Sequence, residues 1–89
     1  MNDSAKFVAV CQNEIRKYIQ DHIDKTDTDF DINKVDIYTV WTCKTLQNSK
    51  ALLSTNIHDG MYYECTYNGD RNQLYLDAYK KFENKEIQL

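Results

Sequence analysis

The spacing of hydrophobic residues changes period near residue 35. Before that point, apolar side chains recur every three or four positions; after it, they come in short β-branched and aromatic runs separated by turn residues. Such a chain is expected to fold as α+β. An N-terminal amphipathic helix packs on an antiparallel sheet of three to four strands joined as a meander, and the C-terminal tail forms a last strand or a short helix.

The helical part runs from Ser4 to about Asp24 without glycine or proline. Val8, Cys11, Ile15, Tyr18, Ile19, His22 and Ile23 make one apolar stripe. Asn2, Asp3 or Ser4 can cap its start, whereas Asp21 and Asp24 oppose the negative end of the helix dipole, so fraying is expected near Lys25. An acidic connector follows, where Asp21, Asp24, Asp27, Asp29, Asp31 and Asp36 face only Lys25 and Lys34.

Residues 35–43 are dense in residues that lose little by being extended, and read as a strand. Strict alternation places Ile37, Thr39, Trp41 and Cys43 on one face and Tyr38, Val40, Thr42 and Lys44 on the other. Both faces are partly apolar, which suggests a central position. Asn48, Ser49 and Lys50 read as a turn into a strand over 51–55. His58, Asp59 and Gly60 read as a turn into another over 61–67. Asn68-Gly69-Asp70 is the strongest hairpin signal, because Asn and Gly tolerate positive φ, and it leads into residues 73–79. If Tyr67 pairs with Leu74, Cys65 meets Leu76 and Tyr63 meets Ala78. That leaves Tyr62, Glu64, Thr66, Tyr75, Asp77 and Tyr79 on the other side. Residues 78–85 also fit helical spacing; a strand through Tyr79 is the favoured reading.

With 89 residues, 42% apolar and 28% charged, residues 1–89 are expected to form a single domain with one core. A domain this small gains from self-association, which leaves a homodimer open. No apolar run approaches the roughly 18 residues a bilayer span needs, and the first residues lack a basic, apolar leader, so no membrane association is expected. Cys11, Cys43 and Cys65 are odd in number and lack short spacing. They read as reduced core thiols in a reducing cytoplasm.

The tests for chemistry are negative. Asp27, Asp29 and Asp31 match the first three ligand positions of a calcium loop, but Ile32 stands where glycine is needed and Tyr38 where a bidentate glutamate is needed. His22 and His58 have no short-spaced cysteines to complete a zinc site. A Cys43 or Cys65 nucleophile with His58 and Asp59 has no supporting pattern, and Glu64 with Asp77 fits a solvated strand face. Gly60 and Gly69, the only glycines, sit in hairpin turns, so there is no phosphate loop. The expectation is a non-enzyme with no catalytic residues, metal or cofactor.

Seven tyrosines bear on partners, since tyrosine offers a rigid contact area with a polar tip. Tyr63 and Tyr67 fall on the expected core face. Tyr62, Tyr75 and Tyr79, with Glu64 and Asp77, form the candidate partner-binding aromatic face, and Asp24, Asp27, Asp29 and Asp31 form a second, acidic candidate. Lys80, Lys81 and Lys85 are a short basic cluster, but the net charge of −3 argues against direct nucleic-acid binding.

The second half, with KALLST, DGMYYECTYNGD and LYLDAYKKFEN, resembles a family of small proteins encoded by bacteriophages and prophages of Gram-positive bacteria, a domain of unknown function. The likeness covers residues 40–84, and Cys65 stands where an aliphatic residue is more usual. The resemblance brings no catalytic residues. It implies a protein that acts in the host cytoplasm by binding and blocking a host or anti-phage defence factor, such as a CRISPR nuclease complex, with the acidic segment meeting a basic channel. The alternative is a replication or packaging accessory that binds nucleic acid through Lys80, Lys81, Lys85 and the tyrosines.

Overall fold

A computed structural model of the chain describes residues 4–23 and 30–89. Helix α1 (Ser4–His22) buries Phe7, Cys11, Ile15 and Ile19, a four-residue repeat that keeps one stripe on the sheet. Phe7, and not Val8, begins this stripe. A short 3-10 turn (Ile32–Lys34) leads into β1 (Ile37–Thr45), β2 (Asn48–Thr55), β3 (Met61–Asn68) and β4 (Gln73–Lys80). The sheet order is β1-β2-β3-β4, an antiparallel meander, so the chain is α+β with one helix layer on one sheet layer. The predicted hairpin register holds: Tyr67 pairs with Leu74, Cys65 with Leu76 and Tyr63 with Ala78.

The core lies between α1 and one face of the sheet. Ala51, Leu53, Tyr63, Cys65 and Tyr67 meet the helix stripe, with Val35 and Ile37 closing one side. The Phe7 and Tyr67 rings lie 6.5 Å apart, and Tyr18 meets Tyr63 edge-on at 5.7 Å. Two polar side chains fix the helix against the chain entering β1. Gln12 Nε2 donates to the Ile37 carbonyl at 2.9 Å, and Arg16 Nη1 donates to the carbonyls of Ile32 and Val35, both at 3.1 Å. These bonds tie the helix to backbone oxygens at the rim of the core, and the Ile32 carbonyl also accepts from Val35 N–H at 3.2 Å.

Three expectations change. First, β1 is an edge strand and not a central one. Second, its alternation breaks at a bulge between Thr39 and Trp41, where the extra residue Val40 shifts the register. Thr39 and Thr42 oppose Leu53 and Ala51, whereas Trp41 and Cys43 oppose Leu52 and Lys50, on the side away from the helix. Cys43 is therefore exposed, while Cys11 and Cys65 are buried. Third, Asn48, Ser49 and Lys50 belong to β2, and the first hairpin turns earlier, through Leu46 with φ of 55° and Gln47.

The Asn68-Gly69 turn has a different cause from the predicted one. The left-handed residue of that loop is Asn72, with φ of 50°, and Gly69 does not have a positive φ. A Cβ at Gly69 would instead overlap the carbonyl oxygen of Gln47 in the neighbouring hairpin tip. The two tips interlock: Gly69 N–H donates to Asn48 Oδ1 at 3.1 Å, and Gln47 Nε2 donates to Asp70 Oδ1 at 2.6 Å. Gly60 alone supplies a positive φ, 71°, between β2 and β3. Residues 81–89 form neither strand nor helix.

Burial has one titration consequence. The Tyr63 hydroxyl is pushed up to about 12, chiefly by desolvation, with the charges of Asp59 and Tyr18 adding to it. A raised phenol stabilises the fold fully below its unfolded value near 10 and loses that contribution as pH rises towards 12. Two pH units correspond to about 3 kcal/mol. Alkaline unfolding followed by circular dichroism is expected to steepen in this window for the native chain, and Tyr63→Phe is expected to flatten it.

Candidate functional site

The sheet face turned away from α1 is built by the alternation of the four strands. Across it run three registered rows: Tyr38, Ser54, Tyr62 and Tyr79; then Trp41, Leu52, Glu64 and Asp77; then Cys43, Lys50, Thr66 and Tyr75. Tyr38, Val40, Trp41, Tyr75 and Tyr79 are each 41–53% exposed. Among the described residues, no helix or strand covers this face. An antiparallel sheet tolerates water on one side, but its solvated face is normally polar, whereas this one is rich in aromatic rings.

The predicted aromatic cluster is thus assembled. Tyr62 and Tyr79 are directly opposite each other, and Tyr75 lies four residues along β4 from Tyr79, on the same face. The Tyr75 hydroxyl donates to Gln73 Oε1 at 2.9 Å. Glu64 and Asp77 also oppose each other, which places like charges at close range. Lys50 relieves this, its Nζ standing 3.2 Å from Glu64 Oε1. Sequence reasoning missed Tyr38, Trp41, Leu52 and Lys50 as members of this face, because each depends on the bulge or on the β1–β2 register. The only local signal was that β1 is apolar on both of its alternating faces.

Of the acidic candidates, Asp24, Asp27 and Asp29 lie outside the described residues. Asp31 is exposed and caps the short 3-10 turn, its carboxylate accepting from Asn33 N–H at 2.9 Å. In the basic cluster, Lys80 is paired opposite Met61 and so points to the helix side, whereas Lys81 lines a cleft of about 180 Å3 with Tyr38 and Tyr62.

The sheet keeps the nucleophile candidates apart: Cys43 is on the open face and Cys65 is buried beneath the helix. Cys11 hydrogen-bonds Cys65, and that bond together with burial pushes the Cys11 thiol well up. Among the described residues, no three His, Cys, Asp or Glu side chains group closely enough to hold a metal ion. His22 sits at the helix end, its ring stacked on Tyr18 at 4.0 Å and its Nδ1 2.8 Å from the Tyr18 carbonyl. A carbonyl only accepts, so this nitrogen carries the proton.

A family model matches residues 8–89, nearly the whole described fold. The chain belongs to the family of unknown function DUF6275. The match takes in α1 from Val8 onward and all four strands, so the open face and all of the core except Phe7 lie within the matched region. No curated protein and no solved structure matches the chain. Among the described residues, no helix is long and apolar enough to cross a membrane.

Proposed function

We propose that this chain is a phage-encoded protein-binding module that inhibits a host or anti-phage defence factor, acting in the host cytoplasm by contact and not by catalysis. The observation that carries the reading is the uncovered aromatic sheet face. Exposed patches of this kind on small proteins mark interaction sites, and tyrosine and tryptophan supply much of the energy in protein interfaces. The phage context rests on the resemblance in residues 40–84. The acidic balance, with an isoelectric point near 5.2, favours a basic partner surface such as a nucleic-acid channel.

Expression of the chain in a bacterium with an active anti-phage nuclease system tests the reading. Plaquing efficiency of a targeted phage is expected to rise, and Tyr79→Asp is expected to abolish the rise while the protein remains folded. No rise across several defence systems would overturn the inhibitor reading. A mobility shift of DNA at low salt that is lost on replacing Lys80, Lys81 and Lys85 would favour the nucleic-acid-binding alternative instead.

A further inference from the structure

Residues 81–89 leave the sheet with bare apolar side chains: Phe82 is 101% exposed, Ile87 69% and Leu89 110%. Their starting point is fixed, because the Lys81 N–H donates to the Gly60 carbonyl at 2.7 Å, at the end of the sheet where β2 turns into β3. At the opposite end of the open face lies a groove of about 470 Å3, lined by Trp41, Cys43, Thr45, Asn48, Lys50 and Thr66. The same chain thus holds an apolar segment without a groove and a groove without an occupant.

The chain's own tail does not suit this groove. It would have to reverse at Lys81 and run back along the strands for about 27 Å. Residues 82–89 reach at most about 28 Å when fully extended, which leaves no length for the reversal, and they contain neither glycine nor proline.

Surface area points to a second copy. The chain exposes 6801 Å2, about 1,300 Å2 more than the roughly 5,500 Å2 expected for a compact chain of its mass. Its radius of gyration is 14.8 Å, against about 12 Å for a compact domain of this length. A stable interface takes about 800 Å2 from each partner, so the surplus is large enough for one. Charge does not decide the occupant: Lys50, the single charged residue lining the groove, already pairs with Glu64, and the tail brings Lys85 along with Glu83 and Glu86.

We propose that residues 82–89 of one copy lie in the Trp41–Cys43 groove of a second copy, and reciprocally, forming a twofold dimer by tail exchange. This rests on the reading of the open face as an interaction surface. It assigns the groove end to a second copy and leaves the Tyr38–Tyr62–Tyr79 end for the partner that is inhibited.

Sedimentation equilibrium of the full chain is expected to give twice the 10.6 kDa chain mass. Phe82→Asp combined with Ile87→Asp, and separately Cys43→Asp, are expected to give folded monomers by circular dichroism. Cys11 and Cys65 are buried, so Cys43 is the accessible thiol. An Ile87→Cys chain treated with a short bismaleimide is therefore expected to form a covalent dimer, lost when Cys43→Ser is added. A wild-type monomer at the highest soluble concentration, or crosslinking within one chain only, would overturn the tail exchange. A monomer whose partner binding still needs Tyr62 and Tyr79 would sink only this inference. A dimer that binds no host or defence protein would sink only the functional reading.

Discussion

Leu53→Ala is expected to lower stability by about 2–5 kcal/mol, the usual range for deleting a buried leucine side chain. Leu53 is fully buried, on an interior strand, paired with Thr39 on one side and Tyr63 on the other, and it faces the α1 stripe. The sheet and the helix both hold the surrounding side chains in place, so the site cannot collapse around the missing atoms. Leu52→Ala, one residue earlier, is expected to cost about 1 kcal/mol or less, because Leu52 lies on the open face between Trp41 and Glu64. Urea unfolding of the two variants measures the difference. Equal losses would mean that the sheet is covered on both sides, which would remove the open face.

Gly69→Ala is expected to destabilise by about 3 kcal/mol, at the upper end of what an overpacked methyl costs. The obstruction is backbone, the Gln47 carbonyl, and cannot swing aside as a flexible side chain would. Relief requires separating the two hairpin tips and breaking the bonds from Gly69 to Asn48 and from Gln47 to Asp70. Gly60→Ala is expected to cost only about 1 kcal/mol: its φ of 71° disfavours a side chain, but an added Cβ would find ordinary contact distances. Gly69→Asn separates the two causes. Asparagine tolerates positive φ, so a turn-type requirement would accept it, whereas a steric requirement rejects it as it rejects alanine. Thermal melts of the three variants show which applies.

Much of the fold was legible because its signals are local. The repeat of Cys11, Ile15 and Ile19 lies within one helix, and the Asn68-Gly69 hairpin has a short loop whose flanking alternation admits one register. The bulge at Val40 was not legible. Nothing in Thr39-Val40-Trp41 marks an extra residue, since the cause is a pairing with β2 that sequence alone does not fix. That single residue moved Trp41 and Cys43 to the open face. It also accounts for the misplaced strand: β1 looks two-sided and central because it carries aromatic residues on a face that no described element covers.

The candidate site was therefore half visible. Tyr62, Tyr75, Tyr79, Glu64 and Asp77 followed from alternation along β3 and β4, whereas Tyr38, Trp41 and Lys50 needed the β1–β2–β3 registers. The roles of Gln12 and Arg16 were equally hidden, because a polar residue beside an apolar stripe looks solvated until a carbonyl is found opposite it. Cys43 shows the same limit. Its composition-based reading as a core thiol fails for a residue on an edge strand past a bulge.

The measurement closest to the central claim compares the affinities of wild type, Tyr62→Asp and Tyr79→Asp for the host or defence protein whose activity the chain suppresses, with thermal melts run in parallel. If the open face is the binding surface, each variant melts like wild type and binds at least about 30-fold more weakly, the equivalent of a 2 kcal/mol hot spot. Folded variants that bind as tightly as wild type would contradict the account.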